Sequence, residues 1–552
     1  MKGLRPIEYV LLVLSALVVV YSQYHALTGT YVINDDVCQH IWWMRQFQDP
    51  ALFRHDLLAV YAQSLQHPGI LALYSWTSFF IDPVLLTKAL PFFFLPLACF
   101  FLFRWVKLLA GDDFTAFFVT VSFMVTPLYI QHMTGGQAHA FGFTFLIAFL
   151  YFLAAARFVA AGSVLAGSAL FFPVVFAIGV VIWLFSFPAR RQWIVLAAVL
   201  VFGLAALGVK FCATVDPRIG QVYLKPAIAH MPEFTAEGRW EVFPVKPVYA
   251  AMTHAAEAGV FVFKAGWKTP LSEAMKDILF RRHIFLALLC LCASAWWFLR
   301  RTMPLLRWIM LAVTASFLLY EAAAALLLRL YAPDRYVMYS VSLAALLFLV
   351  VPAAHMFSRI DAPVLRRALK ALALVLVLMQ MPLTRDAGLT DYSAQQGLYV
   401  FCRTLPKDAV IAAPPDLADG IPVFSRRTVL FDQELAVPLF DGYWPVVKAR
   451  MKDFFKAYYA QDGAAVRAFT AKYGVTHLVI DRSRFFKSAL AGRVTFEPMN
   501  TDIKKDIQGK TDFVLKNVAD GQCLFLRGNI CVADVNALTF LAQDTRGTQA
   551  LK

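Results

Sequence analysis

Charged residues are scarce in this chain. Asp, Glu, Lys and Arg make up 16% of 552 residues, against about 25% in soluble domains. No Walker loop, Rossmann glycine pattern, nucleophile elbow or H-E-x-x-H pair occurs. Without a nucleotide-binding motif, any work must draw on an activated substrate or a gradient. The eight cysteines are scattered and lack zinc-type spacing. Cys99, Cys290 and Cys292 fall in apolar runs, where a small hydrophobe is the expected role. Cys523 and Cys531 lie close together in a polar tail and can pair if that tail meets an oxidising compartment. Internal repeats and low-complexity tracts are absent too.

What the chain has is apolar surface. It is 60% hydrophobic and 15% aromatic, with a mean hydropathy of +0.62. About 330 hydrophobic residues exceed what one compact core buries. A cytosolic enzyme and a disordered scaffold are both excluded, and the bilayer is the remaining solvent. The net charge of +15 does not indicate a nucleic-acid partner, because no continuous basic face is evident. Basic residues form short clusters between apolar runs: Lys2 and Arg5, Arg104 and Lys107, Arg190-Arg191, Arg300-Arg301 with Arg307, and Arg366-Arg367 with Lys370. Such clusters orient a chain in a membrane.

The run 10–21 follows two basic residues and no small-x-small cleavage site comes after it, so it reads as an uncleaved membrane helix. Further runs near the roughly 20 residues a bilayer requires occur at 85–103, 114–130, 138–156, 193–212, 282–299, 304–324, 336–353 and 368–384. The stretch 163–187 is interrupted by Pro173 and weakened by Gly167 and Gly179. With the N-terminus inside, a hairpin of two short helices there keeps Arg190-Arg191, Arg300-Arg301 and Arg366-Arg367 on the inner side. The expectation is a mainly α fold. A polytopic domain at 1–384 has about eleven segments, with outer loops at 28–84 and 213–281, and an extracytoplasmic α/β domain follows at 385–552. In that tail, 409–412 and 477–480 read as short buried strands, and 446–460 carries helical periodicity.

The first outer loop opens with Asn34-Asp35-Asp36, then Val37-Cys38-Gln39-His40-Ile41-Trp42-Trp43, an amphipathic helical stretch expected at the membrane interface. Adjacent carboxylates repel, which raises one pKa and suits a general base or a pair of ligands for a hard cation. The alternative is a helix cap. His55-Asp56 either converges on the same site or caps the next helix. Lys88, after Asp82-Pro83, either attracts a lipid phosphate or snorkels to the interface. The turn Gln131-His132-Met133-Thr134-Gly135-Gly136-Gln137-Ala138-His139 offers backbone N–H groups and side chains for metal, phosphate or a sugar hydroxyl, and its spacing is no recognised zinc box. Arg335, in Pro333-Asp334-Arg335-Tyr336, stands at the outer end of a membrane run. A cation at that depth is costly unless paired or solvated, and its fork suits a phosphate. An ion pair with Asp334 is the competing role. Glu321 and Arg329 extend the polar cluster. Trp42, Trp43, Trp76 and Tyr74 suit interface anchoring or sugar stacking.

This pattern resembles the GT-C class of membrane glycosyltransferases, which use polyprenyl-phosphate-linked sugars. The resemblance covers nearly the whole chain: a first membrane helix running into the acidic loop, many further helices, a short helix pair after the fourth, and a C-terminal domain. The segments 34–43, 82–88, 136–142, Pro333-Asp334-Arg335-Tyr336, Phe424-Ser425-Arg426-Arg427 and Gln433-Glu434-Leu435 look like uncharacterised bacterial members. The resemblance implies Asp35 or Asp36 as catalytic base, with Lys88 and Arg335 on the lipid-linked phosphate. His55, Asp56, His132, Gln137, His139 and Tyr336 are further candidate substrate-binding residues from the residues themselves. Arg427 and Glu434 either touch an acceptor or belong to the tail fold. The turn at Gly135-Gly136 lacks the second acidic pair seen in some branches, which weakens a metal-dependent mechanism. Any divalent metal, Mg or Mn, falls to Asp35 and Asp36.

The expected activity is transfer of one sugar, with inversion, from a polyprenyl-phosphate donor to a glycan, lipid or protein acceptor. It is expected at the outer side of a bacterial cytoplasmic membrane, in building a cell-envelope glycan. A transporter or flippase of lipid-linked sugars is the competing class, and a catalytically inactive assembly subunit is a third.

Overall fold

The computed structural model describes residues 4–186, 189–212, 216–241, 304–330 and 332–538. The expected span at 282–299, Arg300-Arg301, Cys290, Cys292 and the larger part of the loop 213–281 lie outside the described residues.

Three described helices are long and apolar enough to cross a bilayer: Pro83–Ala110, Leu305–Ala325 and Arg335–Ser358. The run expected at 114–130 is bent instead, with Asp113–Met124 and Pro127–Met133 meeting at 64°. Pro127 supplies no N–H and begins the second piece, so the backbone ladder cannot continue through it. Shorter apolar helices span Pro6–Ser22, Ala138–Ala154, Phe158–Phe171, Pro173–Phe185 and Gln192–Gly208. The interruption expected within 163–187 falls at Phe172, which leaves the helical region (φ −149°, ψ 86°) ahead of Pro173. The two helices flanking it pack on each other. The expected run at 368–384 differs. A helix covers Pro363–Leu378, with Val377 its buried residue, and a 3-10 turn Met381–Thr384 follows. Arg366, Arg367 and Lys370 occupy its first half and shorten the apolar stretch.

Among the described residues, all strands but Val32–Ile33 begin at residue 390 or later. Strand β1 (Val32–Ile33) pairs antiparallel with β2 (Thr390–Asp391), Val32 lying opposite Asp391. A mixed five-stranded sheet comprises β3 (Val410–Ala412), β4 (Thr428–Val429), β5 (His477–Asp481), β6 (Phe525–Arg527) and β7 (Ile530–Asp534), in the order β4-β3-β5-β7-β6. The β3–β4 and β3–β5 pairs are parallel, and β5–β7 and β6–β7 antiparallel. Four of the five β5 residues are buried, as a central strand covered on both faces requires. The helix expected at 446–460 runs from Tyr443 to Tyr458. Cys523 and Cys531 form a disulfide across the β6–β7 region.

The loop after the first helix is core rather than membrane surface. Trp42 and Trp43 are 0% and 1% exposed, which removes both from interface anchoring and sugar stacking. The α-helix there is only Asp36–His40, followed by a 3-10 helix Trp42–Phe47. The physical reason is coverage: the Phe424 segment and Tyr443 helix of the tail seal this loop. Tyr74 is also fully buried, while Trp76 stays 66% exposed.

An ionic clamp holds the seal. Arg45 forks onto Asp82 (Nε–Oδ2 2.8 Å, Nη2–Oδ1 3.1 Å) and also donates to the Val423 carbonyl. Arg426 donates to the same Asp82 carboxylate at 3.2 Å. Burial alone would raise the Asp82 pKa, but the Arg45 fork holds it below the ordinary value. Removing one partner of a buried pair strands the other charge, at about 3–5 kcal/mol, whereas exposed pairs contribute about 0–1 kcal/mol. Asp82→Ala is therefore expected to lower the thermal midpoint far more than Lys407→Ala, which breaks the exposed Lys407–Asp49 pair. Equal shifts in scanning fluorimetry would rule the clamp out.

Candidate functional site

Because Asn34-Asp35-Asp36 directly follows β1, the pairing with β2 decides where the doublet points. Asn34 Nδ2 donates to the Gly388 carbonyl at 2.7 Å, and its Oδ1 accepts from the Asp36 amide at 3.1 Å. Asp35 caps the helix Asp36–His40, its carboxylate accepting from the Asp36 amide at 3.1 Å. Burial and the neighbouring Asp36 push the Asp35 carboxyl up. Asp36 faces the turn across from it: its Oδ2 accepts from Gln137 Nε2 and lies 3.9 Å from His139 Nδ1.

Two glycines make this approach possible. Gly135 (φ 88°) and Gly136 (φ 66°) adopt left-handed backbone. A Cβ on Gly135 would sit 2.5 Å from Asn34 Oδ1, and one on Gly136 2.5 Å from the Tyr74 hydroxyl. That hydroxyl donates to the Gly136 carbonyl at 3.0 Å. The turn is thus pressed against the acidic loop from one side and against Tyr74 from the other.

The third wall comes from the helix Arg335–Ser358. Arg335 and Tyr339 are four residues apart and share a helix face. The charges of Arg335 and Asp36 both act on the Tyr339 phenol. Tyr339 donates to the His139 carbonyl at 3.4 Å. His132 stands edge-on to His139 (centroids 5.9 Å apart) and 6.0 Å from the Tyr339 ring. Asp36, Gln137, His139, His132, Tyr339 and Arg335 therefore meet in one cluster. Residues about 300 positions apart in sequence are joined, and an acid, imidazoles and a guanidinium stand together.

Other candidates sit elsewhere. Lys88 Nζ donates to the carbonyls of Ala26 (2.7 Å) and Gly29 (2.8 Å), capping the end of the helix Tyr24–Thr28. The Tyr336 hydroxyl donates to the Leu330 carbonyl at 3.0 Å, so it serves its own helix start. His55 is exposed with positive φ (60°). Asp56 is buried and caps the helix Leu57–Ser64 through the Leu58 amide at 2.8 Å. For Asp56 the capping role holds, beside Arg450 rather than Asp36. Arg427 donates to the carbonyls of Arg403, Leu405, Ser425 and Arg426, which makes it part of the tail fold.

Sequence reasoning missed Tyr339 as a site residue. Its signal was available, one helical turn after Arg335. Glu434 joins the tail to the acidic loop. Its carbonyl accepts from Gln39 at 2.9 Å, and burial together with the charges of Asp35 and Asp36 pushes its carboxyl up despite Arg239 nearby. Behind it lie Asp419, which accepts from the amides of Gln433 (2.7 Å) and Glu434 (3.0 Å), and Asp432, which accepts from Leu435 at 2.6 Å. Among the described residues no three His, Cys, Asp or Glu side chains are arranged to hold a metal ion. The two carboxylates have different partners, Asp35 accepting from the Asp36 amide and Asp36 Oδ2 from Gln137.

The buried carboxyls give stability a definite pH sign. Burial pushes Asp432 up to about 8 and Asp56 up to about 6, both from 3.8. The folded chain holds protons that the unfolded chain has released. Their contribution is full below pH 3.8 and is lost as pH rises through about 6 and then about 8. Asp432→Asn is expected to flatten the loss between pH 6 and 8. Identical midpoint-against-pH curves for the two proteins would contradict this.

No family model and no curated protein matches the sequence. Solved structures do. The Archaeoglobus fulgidus oligosaccharyltransferase in its apo form is similar over 88% of this chain and 70% of its own, with 13% identity and a TM-score of 0.50. The archaeal oligosaccharyltransferase AglB from the same organism, in complex with an inhibitory peptide and a dolichol-phosphate, is similar over 89% and 72%, with 14% identity and a TM-score of 0.51. At these identities the likeness is one of fold: the resemblance to the GT-C class read from the sequence holds at that level.

Proposed function

We propose that this chain is an integral membrane glycosyltransferase. It moves one sugar from a polyprenyl-phosphate-linked donor to an acceptor hydroxyl, inverting the anomeric centre, at the outer face of a bacterial cytoplasmic membrane. The observation that carries this reading is the meeting of Asp36 with Arg335 across Gln137, His139 and Tyr339, in a fold like that of an oligosaccharyltransferase. The dolichol-phosphate bound by that archaeal enzyme supports a lipid phosphate as the donor's carrier. The Cys523–Cys531 disulfide supports an oxidising compartment for the tail.

In the proposed step the Asp36 carboxylate accepts the acceptor's hydroxyl proton while that oxygen bonds to the anomeric carbon. The bond from that carbon to the phosphate oxygen breaks, and its electron pair stays on the lipid phosphate. Attack opposite the leaving group inverts the centre. Arg335 meets the growing phosphate charge, stabilising the transition state more than the ground state. Gln137 holds Asp36 in line, and Tyr339 stands beside Arg335. Asp35 shapes the loop as a helix cap, and Lys88 fixes the end of the helix Tyr24–Thr28.

Asp36→Asn is expected to reduce sugar transfer from a polyprenyl-phosphate donor about 10²–10⁴-fold. Asp35→Asn should reduce it much less, since asparagine also caps a helix. Arg335→Gln should lower the catalytic constant as well as donor affinity. The measurement is transfer of labelled sugar in membranes, with mass spectrometry of surface glycans alongside. Undiminished transfer by Asp36→Asn would remove the base, and lipid movement without transfer by the native chain would favour a flippase.

A further inference from the structure

A cavity of about 400 Å³ lies between the tail and the segment 238–239, lined by Arg239, Asp416, Gln433, Arg484, Arg493 and Thr495 among others. Its size is that of a small-molecule site. Two of its three guanidinium groups are held largely by main-chain carbonyls. Arg493 donates to Thr495 O at 2.9 Å and to Glu237 O. Arg239 donates to Gln433 O at 3.0 Å and Glu434 O at 3.2 Å, with the Glu434 carboxylate 3.6 Å away. Carbonyls orient a guanidinium without cancelling its unit charge. Arg484 differs, paired with Asp416 at 2.6 Å and Asp481 at 3.2 Å.

A second observation points to a ligand. Thr495 is 8% exposed, and its buried hydroxyl has no hydrogen-bond partner. Leaving such a group unpaired costs about 1–3 kcal/mol, and an anionic oxygen between Arg493 and Thr495 would satisfy it. The cavity's Arg239 also reaches Glu434, which contacts the acidic loop. Gln433 and Arg239 flank Glu434, whose carbonyl binds Gln39, one turn beyond Asp35 and Asp36.

We propose that this cavity binds an anionic group, a phosphate or a carboxylate, carried by the acceptor, and so holds the acceptor's hydroxyl toward Asp36. The proposal rests on the glycosyltransferase reading for its link to transfer, but the anion site itself does not. The acceptor is the better occupant than the donor. The lining residues belong to the tail and to the segment 238–239, whereas a lipid-borne phosphate would meet Arg335 on a membrane helix.

The test uses the full chain in nanodiscs, titrated with inorganic phosphate by calorimetry. Saturable binding is expected, weakened about tenfold or more by Arg493→Gln and severalfold by Thr495→Val. It should be partly kept by Arg493→Lys, and in Arg335→Gln, which removes the donor-phosphate contact, the Arg493-dependent binding should remain. Acetate that displaces phosphate assigns carboxylates to the site, and failure to displace it assigns phosphates, the site standing in either case. No saturable binding, or equal affinity in the native chain, Arg493→Gln and Thr495→Val, would overturn it. In the transfer assay, acceptors bearing the charged group should be preferred by the native chain and not by Arg493→Gln. Equal use of neutral acceptors would sink the acceptor role. Phosphate binding without any transfer would sink the glycosyltransferase reading and leave the anion site.

Discussion

The two-residue pairing of Val32–Ile33 with Thr390–Asp391 is the constraint on which the site depends. Two strand residues contribute little energy by themselves. Their effect is geometric, because a strand alternates its faces and a slip of one residue would turn Asp35 and Asp36 about. Neighbouring bonds lock the register: Tyr392 N to Tyr31 O at 2.9 Å, Asp386 N to Ser22 O at 2.9 Å, and Asn34 to Gly388. Residues some 360 positions apart are thereby clipped along one seam, and the acidic doublet can leave it in only one direction.

On the far side of that loop, Arg45, Asp82 and Arg426 form the complementary hold. The seam aims the doublet, and the ionic clamp keeps the tail pressed on Trp42 and Trp43. A tail packed this closely excludes water from the neighbouring carboxyls. That exclusion is what raises Asp35, Glu434 and Asp432. The same packing that builds the core thus sets the electrostatics beside the cluster.

The cluster itself has two ends of opposite sign. Asp36 is fixed by the Gln137 amide, which leaves its charge intact, and on the facing helix Arg335 stands beside the Tyr339 phenol. Between them stand the histidines and the glycine turn. In the proposed reaction this polarity matches the movement of charge, away from the acceptor hydroxyl and onto the lipid phosphate. The arginine-lined cavity then adds a separate anion contact on the tail side, beyond Glu434.

Much of the architecture was legible in the residues. Most of the apolar runs, the break at Pro173 and the strands near 410 and 477 follow from hydrophobic period or a missing amide, which are local effects; the bend at Pro127 was not expected. The pairing of Cys523 with Cys531 was equally local. Burial of Trp42 and Trp43 was not legible, because it depends on a tail hundreds of residues away. Nor were the divergent fates of Asp35 and Asp36, adjacent and chemically alike, or the substitution of Tyr339 for Tyr336 at the site. The sequence by itself determined the solvent, the element types and the residue kinds present at the cluster. The tertiary structure alone decided which carboxylate faces Gln137, which tyrosine reaches His139, and that Lys88 caps a helix. Those outcomes turn on side-chain direction and long-range register, which no local pattern encodes.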